Sequence, residues 1–102
     1  GVVPSKFTTH ALTFTGDRLE LNADVRPGGY VKLELRDADD APIPGFMLDD
    51  CVQLEGDSVR HVAAWKAGSD VSALAGKKIR LYCEAKDASL YAFQFAPTGV
   101  AP

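Results

Sequence analysis

The chain has 102 residues, 46% apolar and 25% charged, which suits one soluble globular domain with its own core and leaves no room for a second. A formal net charge of -3, with Lys and Arg scattered along the chain, leaves no basic surplus for phosphates and speaks against nucleic acid as a partner. No apolar run approaches the roughly 20 residues that cross a bilayer, so no membrane partner is expected.

Residues 1–6 read as an N-terminal tail or linker; "GVVPSKF" lacks the charged start and apolar stretch of a signal peptide, and a chain opening on Gly1 reads as processed or excised. "HALTFT" then reads as a strand with Leu12 and Phe14 inward, ended by Gly16 and Asp17. "RLELNADVR" is the clearest period-two run, with Leu19, Leu21, Ala23 and Val25 on one face and Arg18, Glu20, Asn22, Asp24 and Arg26 on the other. Pro27-Gly28-Gly29 punctuates it, and "YVKLELRD" resumes with Val31, Leu33 and Leu35 inward and Tyr30, Lys32, Glu34 and Arg36 outward. The two runs therefore read as a hairpin.

"DADDAPIPGF" gathers Asp37, Asp39 and Asp40 and then brackets Ile43 with two prolines. Clustered carboxylates suit calcium, but the EF-hand spacing and its later glutamate are missing. A solvated loop leaving a sheet edge is the favoured reading, with structural calcium as the alternative and Asp49 or Asp50 completing its shell. "FMLDDCVQL" reads as two short extended pieces, and "EGDS", Glu55 to Ser58, as a turn. In "VRHVAAWK" the phase is ambiguous, with Val62 and Ala64 competing against Val59, Ala63 and Trp65 for the inside.

"SDVSALAG" permits one or two helical turns, with Ser69 or Asp70 as N-cap and Gly76 as the stop. "KKIRLYCEAKD" alternates cleanly, placing Ile79, Leu81, Cys83 and Ala85 inside and Arg80, Tyr82 and Glu84 outside. "SLYAFQFA" closes the domain with Tyr91, Phe93 and Phe95 in one phase, before a tail at 97–102. Seven or eight short strands with Gly, Asp and Pro turns predict an all-β domain over residues 7–96. The expected architecture is a two-sheet antiparallel β-sandwich, jelly-roll-like, with at most one short helical turn and a small barrel as the alternative.

"DADDAPIPGF", "DDCVQLEGDSVRHVAAW" and "DVSALAGKKIRLYCEAKDASLYAFQF" together resemble the β-sandwich domain at the C-terminal end of secreted bacterial glycoside hydrolases and sialidase-like proteins. "PIPGF", "GDS" followed by Trp65, "LAGK" and "LYAFQF" occur in that family's order. The resemblance implies a secreted or extracellular, non-catalytic accessory module. Such a module would bind a polysaccharide or oligosaccharide and sit beside the catalytic domain of its parent protein; it transfers no binding residues. The chain departs from the family at Asp39-Asp40, where the family's hairpin carries Asp-Gly. A tight two-residue turn there would need positive φ at a non-glycine residue, which speaks against it.

Read from the residues, an enzyme is not expected. Ser58 and His61 point to opposite faces of an extended strand, no carboxylate completes a triad, and the histidines and cysteines show no zinc spacing. The candidates for sugar binding are Tyr30 and Tyr82, whose rings can stack on a pyranose C–H face, with Glu20, Asn22 and Arg36 among their outward hydrogen-bonding neighbours. Trp65 is either a further platform or a core anchor. Cys51 and Cys83 are either one disulfide or two free thiols. The expected function is carbohydrate binding by a monomeric accessory module without cofactor. The alternative is a structural domain that packs against a catalytic domain and has no glycan site.

Overall fold

The computed structural model describes residues 6–97. Among them the fold is an antiparallel sheet of four strands, with no helix beyond two 3-10 turns. The strands are β1 (Lys6–Thr8), β2 (Arg18–Asp37), β3 (Gly56–Val62) and β4 (Ile79–Ala96), in the spatial order β1-β4-β2-β3. Of the expected tails only Lys6 and Pro97 are described, and Lys6 opens β1; the rest lie outside the described residues.

The predicted hairpin is replaced by a single long strand. β2 runs without a turn from Arg18 to Asp37 and pairs with β4 over Arg18–Val25 and again over Tyr30–Asp37. Pro27-Gly28-Gly29 makes a wide irregularity instead: Val25 pairs with Ala88 and Tyr30 with Lys86, so four residues of β2 face Asp87 alone. Glycine is required because a Cβ at Gly29 would collide with the carbonyl oxygens of Lys86 and Asp87, and Gly28 sits at φ +83. A turn and a bulge draw on the same residues, so only the long-range partner distinguishes them.

This irregularity divides both long strands into halves. The first half of β2 lies between β3 and the second half of β4; its second half pairs with the first half of β4, which carries β1 on its other side. Alternation places Leu19, Leu21, Ala23 and Val25 from one half and Val31, Leu33 and Leu35 from the other in one buried cluster, with Ile79, Leu81, Cys83 and Leu90 of β4.

On the side of β2's second half that faces away from β4, the described residues form no regular strand, and its backbone groups find irregular partners. Leu35 N donates to Phe46 O, and its own carbonyl accepts from Ile43 N; Leu54 N donates to Val31 O, and Leu33 N donates to Cys51 Sγ at 3.2 Å. Trp65 completes the row by donating its indole N–H to Leu33 O at 3.0 Å. Its ring is 2% exposed and meets Phe46 edge-on at 5.3 Å, so it anchors the core and offers no face for stacking. Trp65 as a binding platform is thereby corrected. The ambiguous phase of this segment resolves with Ala63 and Trp65 inside and Val62 outside.

The aspartate loop is a tight turn. Asp37 Oδ1 accepts the backbone N–H groups of Asp39 and Ala41, and Asp40 adopts φ 68 in the place a glycine would take. Aspartate tolerates that region because its short side chain bonds locally, and here Asp40 Oδ1 accepts from Arg36 at 3.2 Å. The two-residue turn that the missing glycine argued against is not formed; Asp37 N bonds Ala41 O across a three-residue loop, with Asp40 alone at positive φ. Pro44-Gly45 forms the next turn, with Gly45 at φ +90 and Phe46 N bonded to Ile43 O, the type II pattern.

Other boundaries also shift. "HALTFT" forms only an isolated bridge, Leu12 with Ile79, although Phe14 is buried and stacks on Phe95 at 4.0 Å. "EGDS" enters β3 at Gly56. "SDVSALAG" makes a 3-10 turn at Ser72–Leu74, whose Ser72 N is held by Asp70 Oδ1, and a second such turn lies at Leu48–Asp50. Both cysteines are free thiols.

Candidate functional site

The outward face of β2 carries four of the six expected binding residues, Glu20, Asn22, Tyr30 and Arg36, but it does not bring them to one place. Tyr82, on β4, is opposite Glu34, whereas Tyr30 is opposite Lys86. Four residues separate the two rings along the strand, about 13 Å at 3.3 Å per residue. Glu20 and Asn22 lie beyond the irregularity, in the first half of β2.

Around Tyr82 the surface is occupied by the protein itself. The Arg36 guanidinium stands 4.1 Å over the Tyr82 ring, donates to Glu34 Oε2 at 2.7 Å and reaches Asp40. Glu34, 6% exposed despite its outward phase, uses Oε1 to accept Leu48 N at 3.0 Å. Partial burial lowers the Arg36 pKa, but hydrogen bonds to Glu34 and Asp40 outweigh it and raise the value above the ordinary one. Tyr82 donates its hydroxyl to Glu84, and desolvation together with that carboxylate pushes its pKa up. Arg36 and Tyr82 are therefore parts of a closed network and present no stacking face on the side covered by the guanidinium.

Tyr30 is placed differently. It borders a concavity of about 580 Å³ at the register break, lined also by Asp24 and Arg26 from β2, Gln53 and Glu55 before β3, and Asp57 within it. Tyr30 is half-buried, and Lys32 Nζ stands over one side of its ring, 5.2 Å from the centroid, farther off than the Arg36 guanidinium over Tyr82. Asp24 stands directly opposite Asp57 across the β2–β3 ladder, an unfavourable like-charge pairing, while Arg26 donates away from it to Ser89 Oγ at 3.3 Å. The concavity therefore offers one ring and several strong hydrogen-bond acceptors. Its β3 side was missed because Glu55 to Ser58 read as a turn; Asp24 was visible in the outward phase.

Glu20 and Asn22 border a second, smaller hollow of about 180 Å³, closed by Leu21, Ala92, Phe93 and Gln94. Glu20 is 4% exposed, accepts Gln94 Nε2 at 3.0 Å and has Arg60 Nε 3.6 Å away. Arg18 Nε lies 2.7 Å from Glu20 Oε2, yet neither atom has an in-line hydrogen-bond partner. The short distance gives the pair its Coulomb attraction; the geometry withholds the hydrogen bond.

A bulge frames this hollow on each side. Between Asn22–Ala92 and Ala23–Leu90 the β4 strand carries Tyr91 as an extra residue, and between Leu21–His61 and Ala23–Ser58 the β3 strand carries one as well. At the β4 bulge Tyr91 is 53% exposed, while Phe93 and Phe95 pack against the core. The extra residue lies between Leu90 and Ala92, so the strand's alternation changes phase there.

Ser58 and His61 form no catalytic pair: Ser58 Oγ accepts Arg60 N, and His61 Nε2 lies 3.0 Å from the carbonyl oxygens of both Ala23 and Gly56. Among the described residues no group of three or more His, Cys, Asp or Glu side chains is arranged to hold a metal ion. The Asp37 carboxylate, the centre of the calcium alternative, instead holds the backbone of its own turn. No protein-family model, curated protein or solved structure matches this chain.

Proposed function

We propose that the chain is a non-catalytic carbohydrate-binding module and that its glycan seats in the concavity at Tyr30. The observation that carries this reading is the convergence of the Tyr30 ring with Asp24, Arg26, Gln53, Glu55 and Asp57 around one open concavity. A pyranose presents an apolar C–H face for the ring and hydroxyls that both donate and accept, which suits such a mixed lining. Within this reading the fold is a two-layer, jelly-roll-like sandwich whose layers are the two halves of the register-broken sheet. Trp65 supports that arrangement: it follows Ala63, whose N–H bonds Leu19 O in one half, and donates to Leu33 O in the other.

The resemblance to accessory domains of secreted glycoside hydrolases belongs to the same proposal. The module would act outside the cell as a monomer, tethering a catalytic domain to polysaccharide and raising its local concentration there. One observation favours the structural alternative. Tyr91, 53% exposed, borders an apolar hollow with Phe7, Leu90 and Phe93, a surface suited to packing against another domain.

Glycan-array screening followed by calorimetry on the hits tests the reading. Tyr30→Ala should weaken binding about tenfold or more, as loss of a stacking ring at a hot spot does, and leave stability within about 0.5 kcal/mol. A folded Tyr30→Ala variant that binds as tightly as the parent would remove the site from the concavity, and an array without hits would favour the packing domain.

A further inference from the structure

We infer that the concavity at Tyr30 and the hollow at Glu20 are consecutive subsites of one track, so that the ligand is a linear oligosaccharide lying along the outward face of β2. The inference rests on the reading of the concavity as a glycan site and adds the form of the ligand.

The two depressions share one strand face. Asp24 borders the concavity and Asn22 the hollow, two residues apart on β2 and about 7 Å along it. β2 itself runs without insertion here; the extra residues belong to β3 and β4, so Glu20, Asn22 and Asp24 keep a common outward phase. Ala92 stands opposite Asn22, and its single methyl leaves room between the Asn22 and Gln94 carboxamides.

Beside the hollow lies an ion pair whose facing atoms make no hydrogen bond. Glu20 is more than nine-tenths buried and borders the hollow, and its Oε2 and the neighbouring Arg18 Nε both lack hydrogen bonds. Buried orphans of this kind are rare in folded proteins. A hydroxyl answers both at one atom, donating its proton to the carboxylate and accepting from the guanidinium. The 2.7 Å ionic contact must open to admit it, and Arg18, a quarter exposed on a flexible stem, is the group that moves. A second hydroxyl on the same ring can meet Asn22, and the Ala92 methyl faces the ring's C–H groups. A sugar held at Tyr30 and extended toward Asn22 thus arrives at a place suited to its next units.

The test is calorimetry of the intact chain with one linear glycan, taken from the array hits, in lengths from one to six units. Affinity should rise about tenfold once the chain reaches the hollow, because two buried orphans then gain a partner, and level off beyond it. Glu20→Gln and Asn22→Ala should each abolish that rise and leave the shortest ligands unaffected, whereas Tyr30→Ala should weaken every length. The Arg18 Nε–Hε resonance of the parent should shift with long ligands only. Length-independent affinity with a stationary Arg18 resonance would overturn the track and leave the concavity in place. Failure of every length to bind would instead overturn the concavity reading on which the track depends.

Discussion

β2 carries the same pair twice, Arg18–Glu20 in its first half and Glu34–Arg36 in its second, with Nε and Oε2 2.7 Å apart in both. Both glutamates are buried on a face that alternation assigns to solvent. The second pair is complete: Glu34 accepts from Arg36 and Leu48, and Arg36 lies over Tyr82 and reaches Asp40. The first is not: its closest contact is out of line for a hydrogen bond, and a hollow opens beside it. Identical residue types therefore sit in different surroundings, one fastening a loop to the sheet and the other standing as an ion pair beside an open hollow. A buried carboxylate on an outer strand face is informative only once its partners are counted.

The largest effect expected bears on whether the two halves are one unit. Trp65→Ala should lose about 3–5 kcal/mol of stability, as large-to-small core substitutions do, because it removes a buried ring and orphans Leu33 O. Urea unfolding followed by circular dichroism should remain one transition at a lower midpoint. Two separated transitions would mean that the halves fold independently.

Next come the two carboxylates. Glu34→Ala should cost about 2–3 kcal/mol, since it strips a charge-assisted bond from Arg36 and leaves Leu48 N unpaired. Glu20→Ala should cost less than half as much, because only its Oε1 makes an in-line bond. Equal losses in denaturant titrations would erase the distinction between the closed pair and the open one.

The smallest effect lies beneath the closed half, where Cys83 pairs with Leu33 in the core. Desolvation, with lesser contributions from Cys51 and Glu84, pushes the Cys83 thiol up to about 12 from an ordinary value of 9.0. Below pH 9 the thiol is neutral in both the folded and unfolded chain, so the contribution is constant. Above it the unfolded thiol ionises while the folded one does not, and stability falls by about 1.4 kcal/mol per pH unit until the folded thiol titrates. Urea titrations at pH 8 and pH 10 should show a smaller loss in Cys83→Ala than in the parent; an identical loss would place that pH dependence elsewhere.

The inward faces were legible in the sequence because alternation is local. Leu19, Leu21, Ala23, Val25, Val31, Leu33 and Leu35 are all buried as their phase required. What joins these segments was not legible. Pro27-Gly28-Gly29 suits a hairpin turn and a bulge equally, and the deciding partner, Asp87, stands far along the chain. The bulge at Tyr91 illustrates the same limit, since one extra residue shifts the alternation of β4 without any local sign. At the candidate site, the residues expected from the outward phase include Tyr30, Glu20 and Asn22, each of which borders a hollow. It could not separate Tyr30, at the mouth of a concavity, from Tyr82, lying beneath a guanidinium.

The pairing of β2 with β4 has a consequence for how quickly the native state is reached. These central neighbours are not joined by a hairpin; the Glu20–Gln94 contact alone spans 74 residues of sequence. Closing so large a loop requires an entropic loss before any ladder contact repays it, which places the chain among slow, high-contact-order folders in the millisecond-to-second range. During synthesis the first half of β2 emerges long before the strand that will cover one of its edges, and it must wait for almost the whole chain to follow. In that interval Arg18, Glu20, Asp24 and Arg26 keep charge on an unpaired apolar strand, a guard against premature association with other nascent chains.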